Sequence, residues 1–126
     1  MLKDSFFTVK EVVRAEAEAT YRVALNSSHT IFKAHFAGNP VMPGACIAQM
    51  IKELSEDFLS VDFFISVVKN MKFLKVISPD ENPEVSVQMV YTTQDAGDVS
   101  VSTVIRAGDS IFSKAVLVLK PVRNVK

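Results

Sequence analysis

Cysteine is almost absent: Cys46 stands alone, which excludes an internal disulfide and fits a reducing compartment such as the cytoplasm. Excess charge is missing too. Lysine plus arginine (14) balances aspartate plus glutamate (14), so no global field favours nucleic acid, and any electrostatic partner must be met by a local patch. The opening residues MLKDSFF lack a basic stretch followed by an apolar one, and no apolar run reaches the roughly 20 residues of a membrane helix. A soluble, unprocessed chain with no membrane span is expected. With two histidines and one cysteine there is no recognisable ligand cluster, so no metal or redox cofactor is expected. Repeats, low-complexity tracts and linkers are also missing, and 126 residues that are 48% hydrophobic suffice for one domain, 1–126, with a sizeable core.

What is present is periodicity. Between Phe7 and Asn26 the pattern is extended, with Val9, then Val12 and Val13, then Tyr21, Val23 and Leu25, and reads as two strands. From Ser27 to Gly44 the chain reads as irregular, because Gly38, Pro40, Pro43 and Gly44 interrupt any period, and a connection of that length is often functional. Ala45 to about Leu59 reads as a helix, with Ile47, Met50, Ile51, Leu54 and Phe58 forming one apolar stripe. Its first half is apolar almost all round, whereas Lys52, Ser55, Glu56 and Asp57 suggest that its second half reaches water.

Beyond the helix the period is two. Phe63, Ile65, Val67, Met71 and Phe73 alternate with polar residues, as do Val85, Val87, Met89 and Tyr91, then Val99, Val101 and Ile105, and a last strand runs from Ile111 to about Lys120. Glycines at 97 and 108 supply hairpin turns. The expectation is an α+β fold in which one long helix packs in the concave face of a curved antiparallel sheet of about six strands.

The informative stretch is His35-Phe36-Ala37-Gly38-Asn39-Pro40-Val41-Met42-Pro43-Gly44, leading directly into the helix. It resembles the signature of the hotdog-fold 3-hydroxyacyl carrier-protein dehydratases, a His-Phe-Pro-Gly run followed by Pro-x-x-Pro-Gly and a central helix. The spacing matches at His35, Phe36, Gly38, Pro40, Pro43 and Gly44, and Ala37 stands where the family has proline. Dehydration removes a weakly acidic proton beside a thioester carbonyl and expels hydroxide from the next carbon, so it needs a base, an acid and stabilisation of enolate charge. The resemblance implies His35 as base, with the helix N-terminus at Gly44 polarising the carbonyl.

The chain departs from that family on the helix. Fourteen residues after the histidine the family has an acid, usually followed four residues later by glutamine; here those positions hold Gln49 and Glu53. Gln49 can position a hydroxyl or a water but cannot deliver a proton. Glu53 is a candidate accessory group, either reaching the site through a water, orienting Gln49, or simply opening the helix's solvated half.

Further implications follow the same resemblance. Phe36, Gly38, Pro43, Ala45 and Cys46 are candidate substrate contacts; Met42, Met50, Phe36, Ile47 and the apolar residues of the strand from Phe63 could line an acyl tunnel or could equally be core. Cys46 reads as a small core residue rather than a nucleophile. His29 reads as a loop residue packing near Phe32. Lys69, Lys72 and Lys75 could receive an acidic carrier protein or be ordinary solvated lysines. The implied partner is an acyl carrier protein or coenzyme A thioester, in a homodimer with shared active sites, or a higher oligomer or heteromer. The leading function is a dehydratase-like lyase in fatty-acid or related acyl-chain or polyene synthesis. The alternatives are an acyl-thioester hydrolase and a non-catalytic acyl-binding partner subunit.

Overall fold

Alternating apolar side chains make a strand worth forming only when one face can be buried, and here one helix buries it. The computed structural model describes residues 2–34 and 41–122, with residues 33 and 34 described by backbone alone. Strands β1 (Phe7–Arg14) and β2 (Glu18–Leu25) lead to a short helix α1 (Thr30–Ala34) and the long helix α2 (Gly44–Leu59). Strands β3 (Phe63–Phe73), β4 (Glu84–Thr93), β5 (Val99–Ala107) and β6 (Ser110–Pro121) follow, with a single turn of 3-10 helix at Asp95–Gly97. All six strands form one antiparallel sheet in the order β1-β2-β4-β5-β6-β3, so β1 and β3 are its edges.

The core lies between α2 and one face of this sheet. Ile47, Met50, Ile51 and Leu54 are buried against Tyr21, Val23, Val87, Met89, Val101 and Leu117. Burying each such side chain contributes about 2 kcal/mol, which is why the stripe sets the helix's orientation. The helix ends at Ser60, whose left-handed backbone (φ 56°) lets its N–H return to the Glu56 carbonyl.

Bulges explain where simple alternation misleads. Val9 and Val12 are an odd number of residues apart, yet they lie opposite the inward Val23 and Tyr21, because the pairing register shifts between Val9 and Glu11. In β3 two register shifts, between Ile65 and Val67 and between Val68 and Asn70, reverse the phase twice. The expected inward Val67 therefore pairs with Val118, and Val68 takes the place opposite the buried Leu117. Even so, Val68 stays 49% exposed and Phe73, opposite the buried Ser113, 58% exposed. The strand is not one-sided as expected: part of its inward face stays uncovered by the described residues.

Two other expectations need correction. Part of the stretch read as irregular is the helix α1. Ser55, assigned to the solvated half of α2, is fully buried: its Oγ donates to the Ile51 carbonyl (2.7 Å) and accepts from the Tyr91 hydroxyl (3.0 Å).

Candidate active site

The Pro-Gly pair that precedes α2 sits at one end of an apolar cavity of about 450 Å³, whose walls include Met42, Pro43, Gly44, Ile47, Phe73 and Ile77. Pro43 starts the helix with a fixed φ, and its carbonyl accepts the Cys46 and Ile47 amides at 3.0 and 3.1 Å. The amides of Gly44 and Ala45 come before those bonds and have no acceptor within the helix, which leaves partial positive charge there. The Met42 amide donates to the Ile77 carbonyl at 2.8 Å and ties the entry segment to the strand side. Gly44 is needed for closeness: a Cβ there would stand 2.8 Å from the Phe73 ring and 3.8 Å from the Met71 sulfur.

Gln49 belongs to a different flank. At 100° per residue it points away from the Ile47–Ile51–Leu54 stripe, and it is not among the cavity-lining residues. Its Nε2 donates to Glu53 Oε2 at 2.8 Å. Glu53 is 2% exposed and is fully engaged: the Leu2 amide donates to both carboxylate oxygens (3.0 and 2.8 Å), and the Lys3 amide to Oε1 (2.8 Å). The solvated reading of Glu53 is thereby replaced, and so is the reading in which it reaches outward through a water, because its oxygens are committed to the N-terminal segment and to Gln49. An amide meets a carboxylate only with its NH2 end, so Gln49 Oε1 is turned away as a hydrogen-bond acceptor.

One turn further, Asp57 accepts the Tyr21 hydroxyl at 2.6 Å and pairs with Lys3 and Arg14, each at 3.4 Å. The Tyr21 hydrogen bond, helped by Lys3 and Arg14, holds the Asp57 carboxyl below its ordinary range, and burial beside that carboxylate drives the Tyr21 hydroxyl upward. Burial also pushes Tyr91 up to about 12. These groups tie β1, β2 and β4 to α2, and none is among the cavity-lining residues.

The remaining sequence candidates divide cleanly. His35, Phe36 and Gly38 lie outside the described residues. Pro43 and Gly44 line the cavity; Ala45 and Cys46, on the same helical turn, are not among its lining residues. Burial raises the Cys46 thiol pKa and works against a thiolate there. His29 is packed in the loop: its ring meets Phe6 edge-on at 5.3 Å, Phe6 stacks on Phe32, and its Nδ1 accepts the Ile31 amide. Met50 is core, while Met42 and Ile47 line the cavity. Lys69, Lys72 and Lys75 are exposed; Lys72 lies opposite Lys114, and Lys75 lines the cavity with its Nζ 3.1 Å from Ser110 Oγ. Phe73, one of the apolar strand residues that could have lined a tunnel, does line the cavity; sequence reasoning missed Ser113, since nothing in a period-two pattern distinguishes it from core.

A family model described as "ApeI-like: ApeI dehydratase" matches residues 11–113. The chain belongs to this family of hotdog-fold dehydratases. It is 32% identical over 93 residues to the 3-hydroxyacyl-(acyl-carrier-protein) dehydratase FabZ of Lactiplantibacillus plantarum, covering 68% of this chain and 62% of that one. To the FabZ of Pediococcus pentosaceus it is 28% identical over 106 residues, covering 79% and 68%. The chain thus spans about three fifths of the length of the first of these relatives. Among solved structures, the dehydratase heterocomplex ApeI:P from Xenorhabdus doucetiae superimposes with a TM-score of 0.70 at 16% identity, covering 89% of this chain and 96% of that one. A hypothetical thioesterase with coenzyme A from Streptococcus pneumoniae gives a TM-score of 0.63 at 12% identity, covering 93% and 89%. Both establish the hotdog fold.

Proposed function

We propose that this chain is a single-domain dehydratase-like lyase acting on 3-hydroxyacyl thioesters carried by an acyl carrier protein, with coenzyme A thioesters as the substitute substrate. The observation that carries the reading is that Gly44, the last residue of the His35-to-Gly44 motif, opens both α2 and the apolar cavity. The Gly44 helix terminus receives the thioester carbonyl and stabilises the enolate that forms there. His35 takes the proton from the carbon beside that carbonyl. As the double bond forms, the bond to the neighbouring hydroxyl breaks, and the imidazolium returns its proton to the departing oxygen to give water. Gln49 Oε1 accepts from that hydroxyl and orients it, a task that needs no acid.

Gly44 and Gln49 occupy different flanks of α2, which favours a site completed by a second subunit, His35 and Gly44 from one and Gln49 from the other. The uncovered Val68 and Phe73 at the β3 edge support such an assembly, and so does the solved relative described as a dehydratase heterocomplex. Lys72, with Lys114 beside it, and Lys75 at the cavity would meet an acidic carrier.

Mass spectrometry of carrier-bound 3-hydroxyacyl chains incubated with the protein tests this. Loss of water, abolished in His35→Ala, is expected. Release of free acid would select a thioesterase, and an unchanged acyl mass with binding would select a non-catalytic partner subunit.

A further inference from the structure

Inside the cavity one group is out of character. Ser113 is 1% exposed, its hydroxyl has no hydrogen-bond partner among the described residues, and it lines the same cavity as Met42, Gly44, Ile47 and Ile77. A buried hydroxyl without a partner forfeits its hydration for nothing, and native folds rarely tolerate one unless something else supplies the bond. Register explains its position. Ser113 lies directly across from Phe73 on β3, whose ring abuts Gly44, and across from Ile105 on β5, so it faces the α2 terminus from the sheet side. Thr103 carries the other unpartnered buried hydroxyl among the described residues, but it lies opposite Ala115, one inward pair along, and is not a lining residue.

We propose that Ser113 is a specificity-determining residue whose hydroxyl bonds an oxygen carried on the acyl chain, so that the cavity selects an oxygenated acyl group over a plain hydrocarbon one. The inference rests on the acyl-thioester reading of the cavity. An apolar pocket with one placed polar group holds a chain by its surface and reads a single feature of it. A purely hydrocarbon chain would leave Ser113 unpaired, whereas a 3-hydroxyl or ketone oxygen would pair it, and an unpaired site group is the stronger source of discrimination.

The test is calorimetric titration of the wild type, Ser113→Ala and Ser113→Thr with two unreactive acyl-pantetheine amides of equal length, one bearing a 3-hydroxyl and one deoxygenated beyond its carbonyl. Expected is a loss of about tenfold in affinity for the hydroxylated ligand in Ser113→Ala, no change beyond about twofold for the deoxygenated one, and rescue by Ser113→Thr. Equal losses for both ligands, or none, would overturn the assignment and leave the acyl cavity standing. If the wild type bound neither ligand, the acyl reading itself would fall and the role of Ser113 with it. Melting of Ser113→Ala at or above the wild-type temperature is expected, since the variant removes an unpaired polar atom.

Discussion

Glu53 holds Gln49: the amide nitrogen of one lies 2.8 Å from a carboxylate oxygen of the other, one turn apart on α2. Because the same carboxylate also takes the Leu2 and Lys3 amides, the orientation of Gln49 is tied to the N-terminal segment. Replacing Glu53 by alanine would leave three donors without an acceptor. A loss of about 3 kcal/mol in chemical-denaturation stability is expected, with fast hydrogen exchange at Leu2 and Lys3. Gln49→Ala, which removes one bond of the set, should cost about 1 kcal/mol while lowering turnover at least tenfold. Equal stability losses for the two variants would contradict the arrangement.

Gly44→Ala tests the close approach to Phe73. The added Cβ must displace a ring tip 2.8 Å away. Phe73 is largely exposed, so the ring can turn and the fold should survive with less than about 1 kcal/mol lost, but the ring then closes on the cavity. Binding of an acyl-pantetheine amide should weaken at least tenfold, and Phe73→Leu in the same chain should recover most of it. Failure of that second change to restore binding would assign the loss to the helix terminus itself.

Asp57 gives the fold an acid dependence whose sign is determined. Its pKa is lowered in the folded chain by Tyr21, Lys3 and Arg14, so its contribution is present above the ordinary carboxylate pKa of about 3.9 and is lost as pH falls through the lower folded value. The stability gap between the wild type and Asp57→Asn should be constant from about pH 6 to 8 and shrink below about pH 4. A gap independent of pH over that range would remove Asp57 as the source.

Cys46 should be slow to react. Burial raises its thiol pKa, so alkylation by iodoacetamide at pH 7 should run slower than for a free thiol and accelerate as pH rises above about 8.5. Cys46→Ala should keep turnover within about twofold. Its inactivation with the fold intact would make the thiol part of the chemistry.

Much of this architecture was legible in the residues, for particular physical reasons. The stripe Ile47–Met50–Ile51–Leu54 gave α2, and Val85–Val87–Met89–Tyr91 gave β4 with its inward face, because both periods are uninterrupted. β3 was legible as a strand but not in its phase: bulges at its register shifts leave no mark in a hydrophobic pattern that tolerates valine at both 67 and 68. The contact of Glu53 with Gln49 was legible from their four-residue spacing, but its other partners are backbone amides 50 and 51 residues away, which no side-chain spacing reveals. A lone carboxylate flanking an apolar stripe was the available signal. Ser113 was hidden likewise, because a serine on an alternating strand becomes informative only when its hydroxyl is seen to lack a partner.

The division of the site across two subunits is tested most directly by subunit mixing. His35→Ala chains, expected to be inactive in dehydration, and Gln49→Ala chains, expected to be at least tenfold slower, are unfolded together, refolded at equal ratio and assayed on a carrier-bound 3-hydroxyacyl chain. Random pairing should restore about a quarter of wild-type turnover, because half the dimers are hybrids and each hybrid holds one intact site of two. Activity no greater than the sum of the separate variants would contradict a shared site.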